Sequence, residues 1–156
     1  MTGDIILFYT PLTLNPLTWF SALIRLFQGR YSHIGVEVDN WGVPFINEAI
    51  GIEVKCTPSS VRLKEGNYKR RRGKEAIVES DFARKANSML GKRYDIVSLC
   101  LWMPIYKITG KWYGSRGNKA HGSLICSEYV ALCYELPNAE LIDVTYFLNS
   151  DKFYDV

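Results

Sequence analysis

Residues 31–56, "YSHIGVEVDNWGVPFINEAIGIEVKC", alternate apolar and polar side chains and break at "DNWG" and again near Gly51. A period of two belongs to strands with one buried face, and Asn40 to Gly42 supply a reversal tight enough for a hairpin. The stretch predicts two or three antiparallel strands. Alternation places Tyr31, His33, Gly35 and Glu37 on one face and Ser32, Ile34, Val36 and Val38 on the other, so His33 belongs to the less apolar face.

The flanking segments supply what such a sheet packs against. "DIILFY", residues 4–9, is apolar and bounded by Gly3 and Pro11, as a buried strand would be. "LTWFSALIRLFQG" spaces Trp19, Leu23, Leu26 and Phe27 along one helical face, which predicts an amphipathic helix ending at Gly29. A further strand is expected over "NYKRRR". From Glu75 to Leu90, the spacing of Ile77, Phe82, Ala86, Met89 and Leu90 predicts a helix, with Gly91 at its C-terminal cap. A loop region follows through "GKRYD" and the stretch around Trp102 and Pro104. A last helix starts near Cys126, with Tyr129, Val130, Cys133 and Tyr134 on one face, and the tail from Pro137 is expected to pack back across the domain. Strands, then helices around a loop, describe an α+β chain. At 156 residues, without repeats or linker composition, it reads as one domain spanning 1–156.

Composition excludes several classes. The four cysteines, at 56, 100, 126 and 133, form no CxxC pair and no cysteine/histidine spacing of the zinc-site kind, so no metal is expected. No apolar run reaches the roughly 20 residues needed to span a bilayer. "MTGDIILFYTP" lacks the basic and apolar regions of a signal peptide, which predicts synthesis in the cytoplasm and, for any wall substrate, phage encoding or delivery by another route. The net charge of +3 is mild. Its main concentration, Lys69, Arg70, Arg71 and Arg72, reads either as a solvated strand end or as a contact with an anionic polymer. No nucleic-acid recognition motif accompanies it.

Cys126 stands at a predicted helix N-terminus, where free amides and the positive dipole end favour a thiolate and an oxyanion. It reads equally as a small buried apolar residue. A thiolate nucleophile needs an imidazole, and the chain has His33 and His121. His33 is held by a strand, whereas His121 lies in the Gly-rich "NKAHGSL", a poor place to fix a base. Glu48, in "FINEAIG", comes from the strand expected to pair with that of His33, and a carboxylate there has the position of a third triad member or of a solvent-facing strand glutamate.

Taken together, "GDIILF", "YSHIGVEV", "NEAIGIEV", "LGKRYD" and "CSEYVALCY" resemble the permuted branch of the NlpC-like papain-fold amidases, the YiiX-like group. The resemblance covers nearly the whole chain, least well between Ile96 and Ser123. In ordinary NlpC-type cell-wall peptidases the "LGxPY" turn and the cysteine helix precede the histidine strands; here the strands come first, the order a circular permutation gives. The resemblance implies a permuted papain-like fold, Cys126 as nucleophile, His33 as general base and Glu48 as the residue that orients His33. It also implies that Tyr94, matching the tyrosine of the turn, helps to bind substrate or the oxyanion. "GKRYD" lacks the "WGG" that follows that tyrosine in the wall enzymes.

The activity implied is a cofactor-independent cysteine hydrolase that cleaves amide bonds in cell-wall peptides through a thioester acyl-enzyme. The same branch resembles lecithin:retinol acyltransferase, which implies as an alternative a lipid esterase, thioesterase or acyltransferase using the same triad. A binding protein that keeps the fold without catalysis is the third reading.

Overall fold

Strand-forming residues cluster in the first half of the chain, and there the expected sheet forms. The structure is a computed structural model, and residues 1–9, 30–114 and 123–156 are described. The expected helix around Trp19 and the loop carrying His121 lie outside these residues. Strand β1 (Ile5–Phe8) pairs antiparallel with β2 (His33–Asn40), β2 with β3 (Val43–Ile50), and β3 with β4 (Glu53–Pro58). The β2–β3 reversal falls where "DNWG" put it, and Trp41 and Gly42 both take positive φ, 57° and 82°. A short helix α1 (Ser59–Arg62) and a 3-10 turn lead to β5 (Tyr68–Gly73), which pairs with the other edge of β1.

The second half contributes helices α2 (Glu79–Asn87), α3 (Met103–Thr109), α4 (Cys126–Cys133) and α5 (Val144–Asn149), with the short strands β6 (Arg93–Tyr94), β7 (Ser123–Leu124) and β8 (Phe153–Asp155). The order across the eight-stranded sheet is β7-β6-β4-β3-β2-β1-β5-β8. Its pairings are antiparallel except β6 with β7, which is parallel. This corrects the expectation of a wholly antiparallel sheet: β6 and β7 are separated by a helical crossover rather than a hairpin, which permits the parallel direction.

All four residues of β1 are buried, because both faces of the sheet are covered there. On one face Ile5, Leu7, Ile34, Val36 and Val38 pack with Phe82 and Ala86 of α2, Tyr129, Val130 and Cys133 of α4, and Phe147 of α5. On the other, Ile6, Phe8 and Ile46 are capped by Leu63. The face assignment read from alternation in β2 therefore holds.

Three expectations change. The helix expected from Glu75 begins only at Glu79, because Val78 is extended and caps it; Glu79 and Asp81 fill its first turn, where acids suit the helix dipole. The stretch around Trp102 and Pro104 is helical rather than loop, with a π-type turn over Ser98–Trp102 running into α3. Asp95 starts it by accepting from the Ser98 amide (2.9 Å) and hydroxyl (2.8 Å), and Pro104, which lacks an N–H, falls just after the π-type turn, where the regular i→i−4 ladder is already interrupted.

The basic run, finally, is not a solvated strand end. Arg70 and Arg72 converge on fully buried Asp4, at 2.9 and 2.7 Å, and Arg70 also donates to Glu37 at 2.6 Å. Burial opposes ionisation of Asp4, but the hydrogen bonds from Arg72 and Arg70 outweigh it and hold the carboxyl below its ordinary pKa. Arg71 is buried and donates to the carbonyls of Phe147, Leu148 and Phe153. It thereby ties down the tail, whose β8 also pairs with β5. Lys69 pairs at the surface with Asp155, which also takes the Arg71 Nε at 3.1 Å.

Candidate active site

His33 is the first residue of β2 and Glu48 lies near the end of β3, on the neighbouring strand. Their register is diagonal: Glu48 stands opposite Gly35, two residues along from His33 and on the same face. Diagonal neighbours are within reach of long side chains. A glycine between them leaves the path open, since a Cβ at position 35 would come within 3.0 Å of the Glu48 Cβ and of the Asn47 carbonyl. Across this gap the His33 Nε2 meets the Glu48 Oε2 at 2.7 Å.

Cys126 arrives from the opposite end of the chain. The parallel pairing of β6 with β7 sets Tyr94 beside Leu124, and the extended Ile125 then turns the chain into α4, with Cys126 as its first residue. As an N-terminal helical residue, its amide has no intrahelical acceptor. Glu128, on the same first turn, accepts weakly from the Ile125 amide (3.4 Å), and burial pushes its carboxyl up to about 7. Helix α4 lies against β2, and its N-terminal thiol is near enough to the His33 imidazole to raise its pKa. Tyr94 is close enough to the same sulfur for the Cys126 charge to raise its pKa. The four residues singled out in the sequence, Cys126, His33, Glu48 and Tyr94, are thus one connected group. Cys126 is only 1% exposed, and it shares the main core cluster with Cys133 seven residues on.

The electrostatics of the group follow from this geometry. Burial of His33 opposes its protonation, but hydrogen bonds to Cys126 and Glu48, and the charges of both, raise the imidazole to about 9. Burial likewise opposes ionisation of Glu48, and the His33 and Arg62 partners bring it down to about 2. Tyr94 is held well above its ordinary pKa, first by burial and then by the charge and hydrogen bond of Cys126. At neutral pH the group holds a carboxylate against an imidazolium.

Two participants were not legible in the sequence. Arg62, at the end of α1, donates from Nε to Glu48 Oε1 at 2.6 Å and from a terminal nitrogen to Oε2 at 3.1 Å. Its guanidinium lies 4.0 Å above the centroid of the Phe8 ring. Phe8 in turn stacks on His33 with centroids 5.7 Å apart. Nothing in "SSVRLKEG" signals an arginine with this task, although Phe8 is directly opposite His33 once β1 and β2 are paired.

A cavity of about 350 Å³ lies around the other end of α4, lined by Phe82, Cys133, Tyr134 and Phe153 among others. It includes none of the Cys126 group.

No protein family and no curated protein matches the chain. Solved structures do, among them the crystal structure of the metalloprotein YiiX from Escherichia coli O157:H7, DUF1105, at 22% identity and a TM-score of 0.61, covering 99% of this chain and 95% of that one. The chain has a YiiX-like fold. The likeness runs the length of the chain.

Proposed function

We propose that this chain is a cysteine hydrolase on a circularly permuted papain-like fold, cleaving amide bonds with Cys126 as nucleophile, His33 as general acid and base, and Glu48 as the anchor of His33. The observation that carries the reading is the 2.7 Å contact of the His33 ring with the Glu48 carboxylate, together with the influence of the nearby Cys126 thiol on the same imidazole. With Nε2 on Glu48, the other ring nitrogen is available to the sulfur.

The cycle runs in two stages. The Cys126 thiolate attacks the carbonyl carbon, and the carbonyl electron pair moves to oxygen, where the free amide at the start of α4 stabilises it. Collapse of this intermediate breaks the C–N bond while the His33 imidazolium gives its proton to the leaving nitrogen. The neutral imidazole then takes a proton from water, hydroxide adds to the thioester, and Cys126 departs as thiolate. Tyr94, beside the sulfur, steadies the nucleophile between turnovers and has the place to meet the oxyanion. Glu48 keeps the imidazolium oriented throughout, and Arg62 keeps Glu48 ionised.

The metalloprotein name of YiiX raises the question of a metal here. Among the described residues no group of three or more His, Cys, Asp or Glu side chains is arranged to hold one. In the Cys126 group itself, both Glu48 oxygens are engaged by Arg62 and His33. The donor set does not fit a metal, and no step is routed through one.

Cell-wall peptides are the substrate we favour. A lipid ester or thioester is the second reading, favoured by the exposed Ile96, Val97, Leu101 and Ile108 in the helical segment that follows Tyr94. Hydrolysis assays on muropeptides, phospholipids and acyl thioesters separate them: cleavage of muropeptides that is lost in Cys126→Ala supports the first reading, and cleavage confined to the lipid panel overturns it.

A further inference from the structure

The helical segment from Ser98 to Thr109 has two apolar faces, and only one is covered. Leu99 and Met103, with Trp112, pack against Ile125 in a second core cluster to which Trp102 and Tyr106 also contribute. The other stripe, Val97, Leu101, Pro104 and Ile108, follows the spacing of residues that share a helix face. Val97 is 55% exposed, Leu101 46% and Ile108 77%, and Tyr113 just beyond is 59% exposed. A helix that is apolar all round is ordinarily buried all round. Here the outer stripe faces away from the domain. Among the described residues no helix is long and apolar enough to cross a membrane, which leaves surface contact rather than insertion across a bilayer.

The sequence charge of this stretch has one sign. Between Asp95 and Glu128 the sequence has four basic residues, Lys107, Lys111, Arg116 and Lys119, and no acid. Asp95 is engaged by Ser98 and Ser123, and Asp143 pairs with Lys107, which leaves Lys111 as the exposed cation among the described residues of the stretch. Trp102 and Tyr113 lie together, with ring centroids 6.3 Å apart. An apolar stripe bordered by lysine and amphipathic aromatic rings matches the interface of a bilayer with anionic headgroups. A nucleic acid would leave the stripe in water.

We infer that the outer face of the Ser98–Thr109 helical segment docks on the surface of an anionic phospholipid bilayer. The segment adjoins the candidate active site through its inner face, because Ile125 of that face's core cluster immediately precedes Cys126 and Tyr94 packs against both clusters. Docking itself does not depend on Cys126 being a nucleophile. It stands or falls on binding alone.

Co-sedimentation of the full chain with vesicles tests this directly. The wild type pellets with phosphatidylcholine vesicles containing phosphatidylglycerol, and less with phosphatidylcholine alone or at high salt. Leu101→Asp with Ile108→Asp weakens binding about tenfold or more, since each removes a side chain that the bilayer would bury. Lys111→Glu weakens it on the anionic vesicles only. Because these side chains are exposed, circular dichroism of the variants should match the wild type; if the double variant unfolds, Ile108→Ser and Lys111→Glu decide. The inference is overturned if the wild type stays in the supernatant with anionic vesicles, or if folded variants bind as it does. It is equally overturned if light scattering shows the stripe pairing two copies of the chain while vesicles go unbound.

Discussion

The Nε2 of His33 stands 2.7 Å from the Oε2 of Glu48, across a diagonal of the β2–β3 ladder left open by Gly35. Replacing Glu48 by Gln keeps the shape and removes the charge. The His33 pKa, about 9 in the wild type, should then fall toward its ordinary range, because burial, which opposes protonation, loses one of its two counterweights. With only two histidines in the chain, an NMR titration of the imidazole protons reads this directly. An unchanged high pKa would assign the shift to Cys126 alone.

The raised pKa of His33 also makes stability depend on pH. A group whose folded pKa lies above its unfolded value stabilises fully below the unfolded value, near 6.5, and loses that contribution as pH rises through about 9. Urea midpoints of the wild type should decline across this interval, and His33→Ala should flatten the decline. On the acid side Glu48 acts in the reverse sense. Its folded pKa, about 2, lies below its unfolded value near 4.5, so its contribution is present above 4.5 and lost as pH falls toward 2.

Arg62 grips a carboxylate that is itself 2% exposed. Arg62→Met leaves Glu48 with His33 as its remaining charged partner, and loss of one member of a buried pair costs about 3 kcal/mol. Arg62→Lys restores charge without the two-pronged geometry, so it should recover part of that stability and less of the His33 titration behaviour. Chemical denaturation and the same NMR titration measure the two effects separately. Equal stability of Arg62→Met and wild type would show the grip to be energetically idle.

Gly35→Ala places a methyl group 3.0 Å from the Asn47 carbonyl oxygen and the Glu48 Cβ, and 3.1 Å from an Ile46 side-chain carbon. Two of these neighbours are fixed by the β2–β3 ladder, so the strands must part. A loss of about 1–3 kcal/mol is expected, as for overpacking elsewhere, together with a lower His33 pKa as Glu48 is displaced. Thermal unfolding with the histidine titration checks both.

The parts of the fold that were legible depend on neighbours in sequence. Alternation fixes which face of β2 carries His33, "DNWG" fixes the hairpin, and pairing β2 with β3 then brings Glu48 to His33. Cys126 was legible through its place at a helix start, and Tyr94 only through resemblance. What escaped depends on contacts between distant residues. Arg62 finds Glu48 through the turn of α1, Arg71 finds carbonyls of the tail 76 to 82 residues away, and Arg70 reaches Glu37 across β1. Charge runs show sign but not partners, so "KRRR" read as surface. The helix around Trp102 was hidden for another reason: apolar residues on both of its faces erase the 3.6-residue contrast by which an amphipathic helix is seen.

The central claim is that Cys126 and His33 form a working nucleophile and base, and iodoacetamide labelling followed by mass spectrometry addresses it most directly. Cys56 and Cys100 serve as internal references, both more exposed than Cys126 and both with thiols pushed up by burial. The account predicts that at neutral pH Cys126 is labelled faster than either reference, despite being the least accessible of the three, and that His33→Ala abolishes this advantage without changing the other two rates. Labelling of Cys126 no faster than Cys56 and Cys100, or a rate indifferent to His33→Ala, would contradict it.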